Sequence, residues 1–228
     1  FLGWRGIRIC LDKKETFLAQ LRAILKASTG GNLKIMLPMI SGIEEVKKTY
    51  QYLEEAKAQL RKANIRFDEK IQVGVMIEIP SAVILADELA KMVDFFSIGT
   101  NDLVQYSLAV DRDSSLVCDM YEKFHPAVLR LIDMTVKSAA RNNIPVSVCG
   151  EMASDPYASL LLIGMGVTEL SVVSTQYLQI KRLIRLVNYE NSQKVAAKVL
   201  TMSTINEVKT YIEDCFNKNI GEQLEAVS

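Results

Sequence analysis

The sequence predicts an α/β fold built on parallel strands, and two regularities carry this prediction. Short apolar runs of five to seven residues, rich in β-branched and aromatic side chains, alternate with longer stretches of helical periodicity. A strand followed by an amphipathic helix, repeated along the chain, is typical of parallel strands joined by helical crossovers. At 228 residues the chain is long enough for one large domain or two small ones.

The elements follow one another in a regular order. The predicted strands are Gly6–Cys10, Lys34–Ile40, Val73–Glu78, Phe95–Gly99, Val146–Gly150 and Glu169–Val173. One helix is indicated by the apolar stripe of Ile43, Val46, Tyr50, Leu53 and Leu60. Further helices are predicted over Lys14–Lys26, Ser81–Met92, Ala127–Arg141, Pro156–Met165 and Gln179–Leu186.

Six strand–helix units in a row point to a (β/α)8 TIM barrel, which takes about 250 residues. We predict the last six units of such a barrel in residues 1–190, with the first two upstream of a chain that begins at Phe1 rather than at Met. An open doubly wound sheet is the alternative, although no G-x-G-x-x-G motif follows the first strand. Residues 191–228 are predicted to form a helical extension packed on the barrel, with helical spacing through Ile205, Val208 and Ile212.

Composition excludes several function classes. Lys and Arg number 27, as do Asp and Glu, and this zero net charge argues against nucleic acid or acidic lipid as a partner. No apolar run approaches the ~20 residues of a membrane helix, so we expect no membrane insertion. The four cysteines lack C-x-x-C spacing, which favours free thiols and a cytoplasmic location. The one histidine, His125, excludes a histidine-built metal site, and its place before Pro126 favours a surface or capping role.

Two carboxylates follow neighbouring predicted strands. Glu78 ends one strand, and Asn101 and Asp102 follow the next. Active sites of parallel sheets and barrels lie at the carboxyl ends of strands, and neighbouring strands are about 5 Å apart, so these carboxylates could share one Mg²⁺. Alternatively, Glu78 pairs with an arginine and Asp102 caps a helix that begins at Leu103.

Two arginines and a cysteine complete the candidate site. Arg5 and Arg112 could bind a phosphate or carboxylate, but Arg112 could instead pair with a neighbouring aspartate, Asp111 or Asp113. Either Arg5 or the nearby Arg8 could be structural. Cys149, at a strand end, is most simply a core residue, although beside a metal-bound substrate its thiol could deliver a proton.

The segments around these residues resemble one family in unbroken order. They are Leu2–Arg8, Val73–Pro80, Asp94–Leu103, Gln105–Tyr106, Leu108–Arg112 and Cys149–Ala153. Together they resemble Enzyme I of the phosphoenolpyruvate-dependent phosphotransferase system. Gly6 and the segments His125–Leu129 and Gly150–Ala153 suggest its nitrogen-related branch. Pyruvate, phosphate dikinases and phosphoenolpyruvate synthases share the barrel, the Asn-Asp signature and the Cys-Gly-Glu signature.

The resemblance implies a role for each candidate residue. Glu78 and Asp102 match the Mg²⁺ ligands, and Cys149 matches the residue that protonates the enolate carbon. Asn101, the Asp102 backbone and Arg112 match contacts to the phosphate of phosphoenolpyruvate. Arg5 matches a further arginine of the site, whereas His125 does not match the phosphorylated histidine, which belongs to a separate N-terminal domain.

By this resemblance, the chain is the phosphoenolpyruvate-binding barrel of a phosphotransferase. Such an enzyme transfers the phosphoryl group to that histidine, releases pyruvate and passes the group to a small phosphocarrier protein. A homodimer is implied, and the chain alone is expected to be inactive. The alternatives are the barrel of a dikinase or synthase, or a regulatory domain that binds phosphoenolpyruvate without catalysis.

Overall fold

The computed structural model describes residues 2–218 as a parallel α/β structure. Its five strands are β1 (Lys34–Leu37), β2 (Gln72–Ile77), β3 (Phe95–Gly99), β4 (Val146–Cys149) and β5 (Glu169–Leu170). Each strand pairs with the next one along the chain, in the spatial order β1-β2-β3-β4-β5. Right-handed crossovers in this order place the connecting helices on one face, as in a barrel, whereas the strand order of a doubly wound sheet reverses. The predicted parallel α/β fold is confirmed, with β1 to β5 paired in sequence order.

One predicted strand is wrong, because Gly6–Cys10 contains the start of a short helix, α1 (Ile7–Asp12). Gly6 has a left-handed φ of 56°, and a Cβ there would lie 2.8 Å from Cγ of Met39. The chain therefore turns at Gly6 and buries Ile7 alone, without the two-residue alternation that a strand shows. In the part of the chain that the structure describes there are five strands, not the six that we predicted.

Ten further α-helices follow α1 in the described residues. They are α2 (Lys14–Ala27), α3 (Ile43–Lys62), α4 (Pro80–Ile84), α5 (Ala86–Ala90), α6 (Thr100–Leu108), α7 (Pro126–Arg141), α8 (Pro156–Met165), α9 (Tyr177–Leu186), α10 (Tyr189–Val199) and α11 (Ile205–Phe216). The helix predicted over Ser81–Met92 is two helices, since the backbone departs from helical geometry at Leu85. Prolines at the first position of α4, α7 and α8 start these helices, where a missing N–H costs no hydrogen bond.

The core lies between the sheet and the helices, with strand residues such as Val75, Ile77, Phe96 and Ile98 fully buried. This packing fixes the strands, and thereby the side chains that follow them. Cys10, Cys118 and Cys149 are free thiols. Within residues 2–218, none of the helices combines the length and the apolar character needed to cross a membrane.

The C-terminal helices α10 and α11 pack against α8. Gly164 of α8 contacts the backbone of Ser192 in α10 so closely that a Cβ would collide with the Ser192 carbonyl. The Arg130 guanidinium donates hydrogen bonds to the carbonyls of Leu200 and Met202, at 3.3 and 2.9 Å. Residues 219–228, the end of the predicted extension, lie outside the described residues.

Candidate active site

Glu78 follows β2 directly and is 3% exposed. Its Oε1 accepts a hydrogen bond from the backbone N–H of Met39 at 2.6 Å. Met39 adopts a left-handed φ of 59°. The pKa of Glu78 is raised to about 7, chiefly by burial and also by the neighbouring Asp102, while the Met39 N–H and Arg5 lower it. The Glu78 carboxyl group is therefore poised between its neutral and charged forms near neutral pH.

Asp102 lies on the neighbouring strand–helix junction, where β3 continues into α6 without a loop. Gly99 is both the last residue of β3 and the N-cap of α6, so Asp102 is the third residue of the helix and not its cap. The Asp102 carboxyl group is close enough to Glu78 to help raise its pKa. A Cβ on Gly99 would lie 2.9 Å from Oε2 of Glu78, so glycine leaves room for that carboxylate.

The donor set of these two side chains fits a hard divalent cation. Oδ1 of Asp102 is buried and has no hydrogen-bond partner, although Nη1 of Arg5 lies 3.6 Å away. In residues 2–218 no group of three or more His, Cys, Asp and Glu side chains is arranged to hold a metal. Mg²⁺ is commonly held by one or two carboxylates, with water and substrate oxygens as the other ligands. Glu78 and Asp102 supply that number of carboxylates.

Of the two N-terminal arginines, only Arg5 reaches the acidic pair. Besides Asp102, its Nη1 contacts the hydroxyl of Tyr106, to which it donates a hydrogen bond of 3.3 Å. The Arg8 guanidinium instead donates to the carbonyl of Gly3 at 2.9 Å, in an exposed position. Arg5 thus places a positive charge at the edge of the site.

Arg112 lies in the loop between α6 and α7 and turns back toward the site. Its backbone N–H donates to Oε1 of Gln105 at 3.2 Å, which attaches the loop to α6. Nη1 of Arg112 is buried without a hydrogen-bond partner. Among the described residues, no ion pair joins Arg112 to Asp111 or Asp113, so the pairing considered from the sequence does not form. A half-buried guanidinium whose buried Nη1 has an unused N–H suits an anionic ligand.

Cys149 ends β4 beside Gly99 of β3. Its Sγ accepts a hydrogen bond from the Ser97 hydroxyl at 3.7 Å and donates to the carbonyl of Ile98 at 3.5 Å. Burial raises the pKa of the thiol, and the negative charges of Glu78 and Asp102 add to this effect. The group is consequently a neutral thiol at physiological pH, able to give a proton but poorly suited to attack as a thiolate.

Asn101 is held by the turn that follows β4. Its Oδ1 accepts the backbone N–H of Glu151 at 3.0 Å. Gly150 there has a φ of 94°, and a Cβ would lie 2.6 Å from that same Oδ1, so the close approach requires glycine. Two grooves of about 800 and 720 Å³ flank this part of the molecule; Gln105 and Tyr106 line the first, and Asn101 and Gly150 the second.

Comparison with known proteins places this geometry in a family. Residues 1–189 match the family model described as PEP-utilising enzyme, PEP-binding domain. The chain belongs to this family. Its match begins before α1 and includes β1 to β5, with every candidate site residue inside it.

Relatives among well-characterised proteins agree with this assignment. The phosphoenolpyruvate-protein phosphotransferase of Bacillus subtilis is 44% identical over 216 residues, which are 95% of this chain and 38% of that protein. The Haemophilus influenzae protein of the same name is 46% identical over 219 residues, 96% of this chain and 38% of its own length. These relatives confirm the resemblance drawn from the motifs, and the chain spans about two fifths of their length.

A solved structure shares the fold. The citrate lyase of Burkholderia xenovorans LB400 superposes with a TM-score of 0.54 at 16% sequence identity, over 90% of this chain and 69% of that one. At this identity the likeness concerns the fold alone. The PEP-utilising domain is accordingly a TIM-barrel-like α/β structure.

The structure brings together five of the six residues that the sequence singled out: Arg5, Glu78, Asn101, Asp102 and Cys149. The sixth, Arg112, lies near Tyr121, whose hydroxyl donates a hydrogen bond to the carbonyl of Asn101. His125 is elsewhere, as the N-cap of α7, where Nδ1 accepts the Ala127 N–H at 3.1 Å. This agrees with the predicted capping role.

Sequence reasoning missed two contributors to the site. One is the backbone N–H of Met39, which holds Glu78. The other is Tyr121, whose hydroxyl donates a hydrogen bond to the carbonyl of Asn101 at 3.1 Å. No spacing or motif signals either contact, because each joins segments that only the fold brings together.

Proposed function

We propose that this chain is the phosphoenolpyruvate-binding domain of a phosphoenolpyruvate-protein phosphotransferase. The enzyme would move the phosphoryl group of phosphoenolpyruvate to a histidine on a separate domain and release pyruvate. One observation carries the proposal: the buried carboxyl group of Glu78 and the partly buried one of Asp102 lie next to a neutral thiol, Cys149. The cationic side chain of Arg5 lies beside Asp102. The names of the relatives at 44–46% identity support the same reaction.

The residues fit Mg²⁺ as the cofactor, with Glu78 and Asp102 as its protein ligands. When bound, Mg²⁺ would supply positive charge that offsets the negative charge of the substrate. Arg112 offers its free Nη1 to the phosphate, and Arg5 adds a second cation beside Asp102. The side chains thereby orient the substrate and offset its negative charge, which is the main protein contribution to phosphoryl transfer.

Cys149 supplies the proton that completes pyruvate. Breaking the P–O bond sends the phosphoryl group to the histidine nitrogen and leaves the electron pair on the enolate oxygen. The methylene carbon of the enolate then takes the proton of the Cys149 thiol, and solvent returns a proton to sulfur. A raised thiol pKa keeps that proton on sulfur until the enolate, a stronger base, forms.

The rest of the proposal concerns partners. A small phosphocarrier protein would receive the phosphoryl group from the histidine domain, and the domain would form a homodimer in the cytoplasm. The family resemblance supports these points. His125 would take no part in phosphoryl transfer, because its Nδ1 accepts a backbone hydrogen bond at the start of α7.

The test uses the complete protein, with phosphoenolpyruvate and Mg²⁺ and without nucleotide. We expect one pyruvate for each acid-labile phosphate bound to protein. Asp102→Asn should abolish both products, and Asp133→Asn, which alters an α7 carboxylate paired with Lys137, should leave both unchanged. A requirement for nucleotide, or pyruvate release without phosphoprotein, would overturn the proposal.

A further inference from the structure

Tyr106 lies on α6 four residues after Asp102, so the two side chains share one face of the helix. Because β3 passes into α6 without a loop, the sheet fixes where this face lies. The Tyr106 hydroxyl accepts a hydrogen bond from Nη1 of Arg5 at 3.3 Å, and the same nitrogen lies 3.6 Å from Oδ1 of Asp102. Two side chains of α6 thus contact one guanidinium nitrogen.

The Arg5 side chain needs a directional contact because it is long and flexible. It is 39% exposed and precedes the left-handed turn at Gly6. An ion pair at 3.6 Å in such a position attracts the guanidinium but does not fix its direction, and exposed pairs of this kind are weak. A hydrogen bond is directional, and the hydroxyl of Tyr106 is carried on a rigid ring. This hydroxyl therefore gives Arg5 the orientation that the ion pair does not.

The Tyr106 hydroxyl is itself attached to a second segment. It donates to Sδ of Met39 at 3.8 Å, and the backbone N–H of Met39 is the group that holds Glu78. The partners of Tyr106 are 101 and 67 residues away in the sequence, at Arg5 and at Met39. One hydroxyl thus connects the arginine at the edge of the site with the backbone that supports its buried carboxyl group.

We propose that Tyr106 is a positioning residue, whose hydroxyl holds the Arg5 guanidinium beside Asp102 in the direction in which it meets the negative charge of the substrate. The inference rests on the proposed function, since it concerns the same site. Fixing a binding group before the ligand arrives removes the entropic penalty of ordering it afterwards. The effect of the hydroxyl should then fall mainly on substrate affinity.

Tyr106→Phe removes the hydroxyl and keeps the ring. In the complete enzyme we expect KM for phosphoenolpyruvate to rise about 3- to 10-fold, the range of one lost hydrogen bond, with kcat within about twofold of wild type. The matched control is Tyr50→Phe. Tyr50 lies on α3, and its hydroxyl donates to the carbonyl of Met92 at 2.7 Å. The control should lose similar thermal stability without a change in KM.

A double-mutant cycle shows whether Tyr106 acts through Arg5. In an Arg5→Ala background, Tyr106→Phe should raise KM further by less than about twofold, because the group it positions is gone. An undiminished effect in that background would overturn the inference, as would equal KM values for Tyr106→Phe and Tyr50→Phe. A wild-type enzyme that releases no pyruvate would instead overturn the proposed function itself.

Discussion

The amino and carboxyl ends of the parallel sheet differ in whether their polar groups have hydrogen-bond partners. At the amino end, Asp94 accepts the Val73 N–H at 2.7 Å and returns its own N–H to the Val73 carbonyl at 2.8 Å. Tyr50 likewise uses its hydroxyl on the nearby carbonyl of Met92. Polar groups at this end satisfy one another, as buried polar groups in folded proteins generally do.

At the carboxyl end of the sheet, some buried polar groups lack a hydrogen-bond partner. Across residues 2–218, four side chains have a buried polar atom without a hydrogen-bond partner: Asp102, Gln105, Ser107 and Arg112. All four belong to α6 or to the loop that follows it. An unsatisfied buried group lowers stability by about 1–3 kcal/mol, so the unpaired atoms of Asp102 and Arg112 are consistent with residues that bind a ligand. The contrast separates residues that maintain the fold from residues that bind.

The largest expected effect is a loss of catalysis at the carboxyl end of the sheet. In the complete enzyme, Cys149→Ala should lower the rate of pyruvate formation about 10²- to 10⁴-fold, the usual contribution of a positioned acid. Binding of phosphoenolpyruvate should stay within about threefold of wild type, because the thiol carries no charge that attracts the substrate. Rapid-quench measurement of pyruvate and calorimetric titration provide the two values.

Cys215→Ala, on the outer helix α11, is the control and should retain the wild-type rate. A Cys149→Ala enzyme that forms pyruvate within about threefold of the wild-type rate would show that another group delivers the proton.

The next largest effect is on stability. Carboxylates in folded proteins usually contribute more stability as the pH rises, whereas Glu78 should contribute less. The folded protein raises the pKa of Glu78 from 4.5 to about 7. Its contribution to stability is therefore complete below pH 4.5 and is lost as pH rises through 7. Without metal, Glu78→Gln should stabilise the protein by about 3 kcal/mol at about pH 8, at 1.36 kcal/mol per pKa unit. The gain should shrink below about 1 kcal/mol near pH 5.

Urea unfolding in the presence of a chelator measures these free energies of unfolding. The exposed Glu213→Gln on α11 is the control and should show no such pH dependence. A Glu78→Gln gain that is the same at both pH values would contradict the assignment of the raised pKa to burial beside Asp102.

The smallest effect concerns the amino end of the sheet, where the polar groups are hydrogen-bonded to one another. Asp94→Ala leaves the backbone N–H of the buried Val73 without its acceptor, and should lower the free energy of unfolding by about 1–2 kcal/mol. KM and kcat should not change, since the contact lies at the opposite end of β2 and β3 from Glu78 and Asp102. A change in KM without a loss of stability would contradict the division between the two ends.

Much of the fold could be predicted from the sequence because burial leaves a pattern. β3 and α8 have the predicted bounds, Phe95–Gly99 and Pro156–Met165. The failure at Gly6–Cys10 has a physical cause. A helix of six residues is too short to show its period, and the turn at Gly6 depends on contact with Met39, more than 30 residues away.

Some residues of the site could likewise be predicted from the sequence, and others could not. Glu78, Asn101, Asp102 and Cys149 could be placed together because parallel strands end at one edge of a sheet. The Met39 amide could not, since it reaches Glu78 across 39 residues and only through a left-handed backbone that no motif predicts. Tyr121 stands in a polar loop 20 residues from its partner Asn101, without periodicity to mark it.

The direct passage of β3 into α6 has a consequence for how the cleft can change shape. Residues 100–102 cannot shift unless the central strand shifts with them, whereas the segment after Ala109, which leaves α6 with a left-handed φ of 55°, contains only one short 3₁₀ turn before α7. Any accommodation of ligands of different size therefore falls to the arginine-bearing loop. The sheet therefore fixes the position of the acidic pair, and the loop that carries Arg112 is the part of the cleft that can adjust to the ligand.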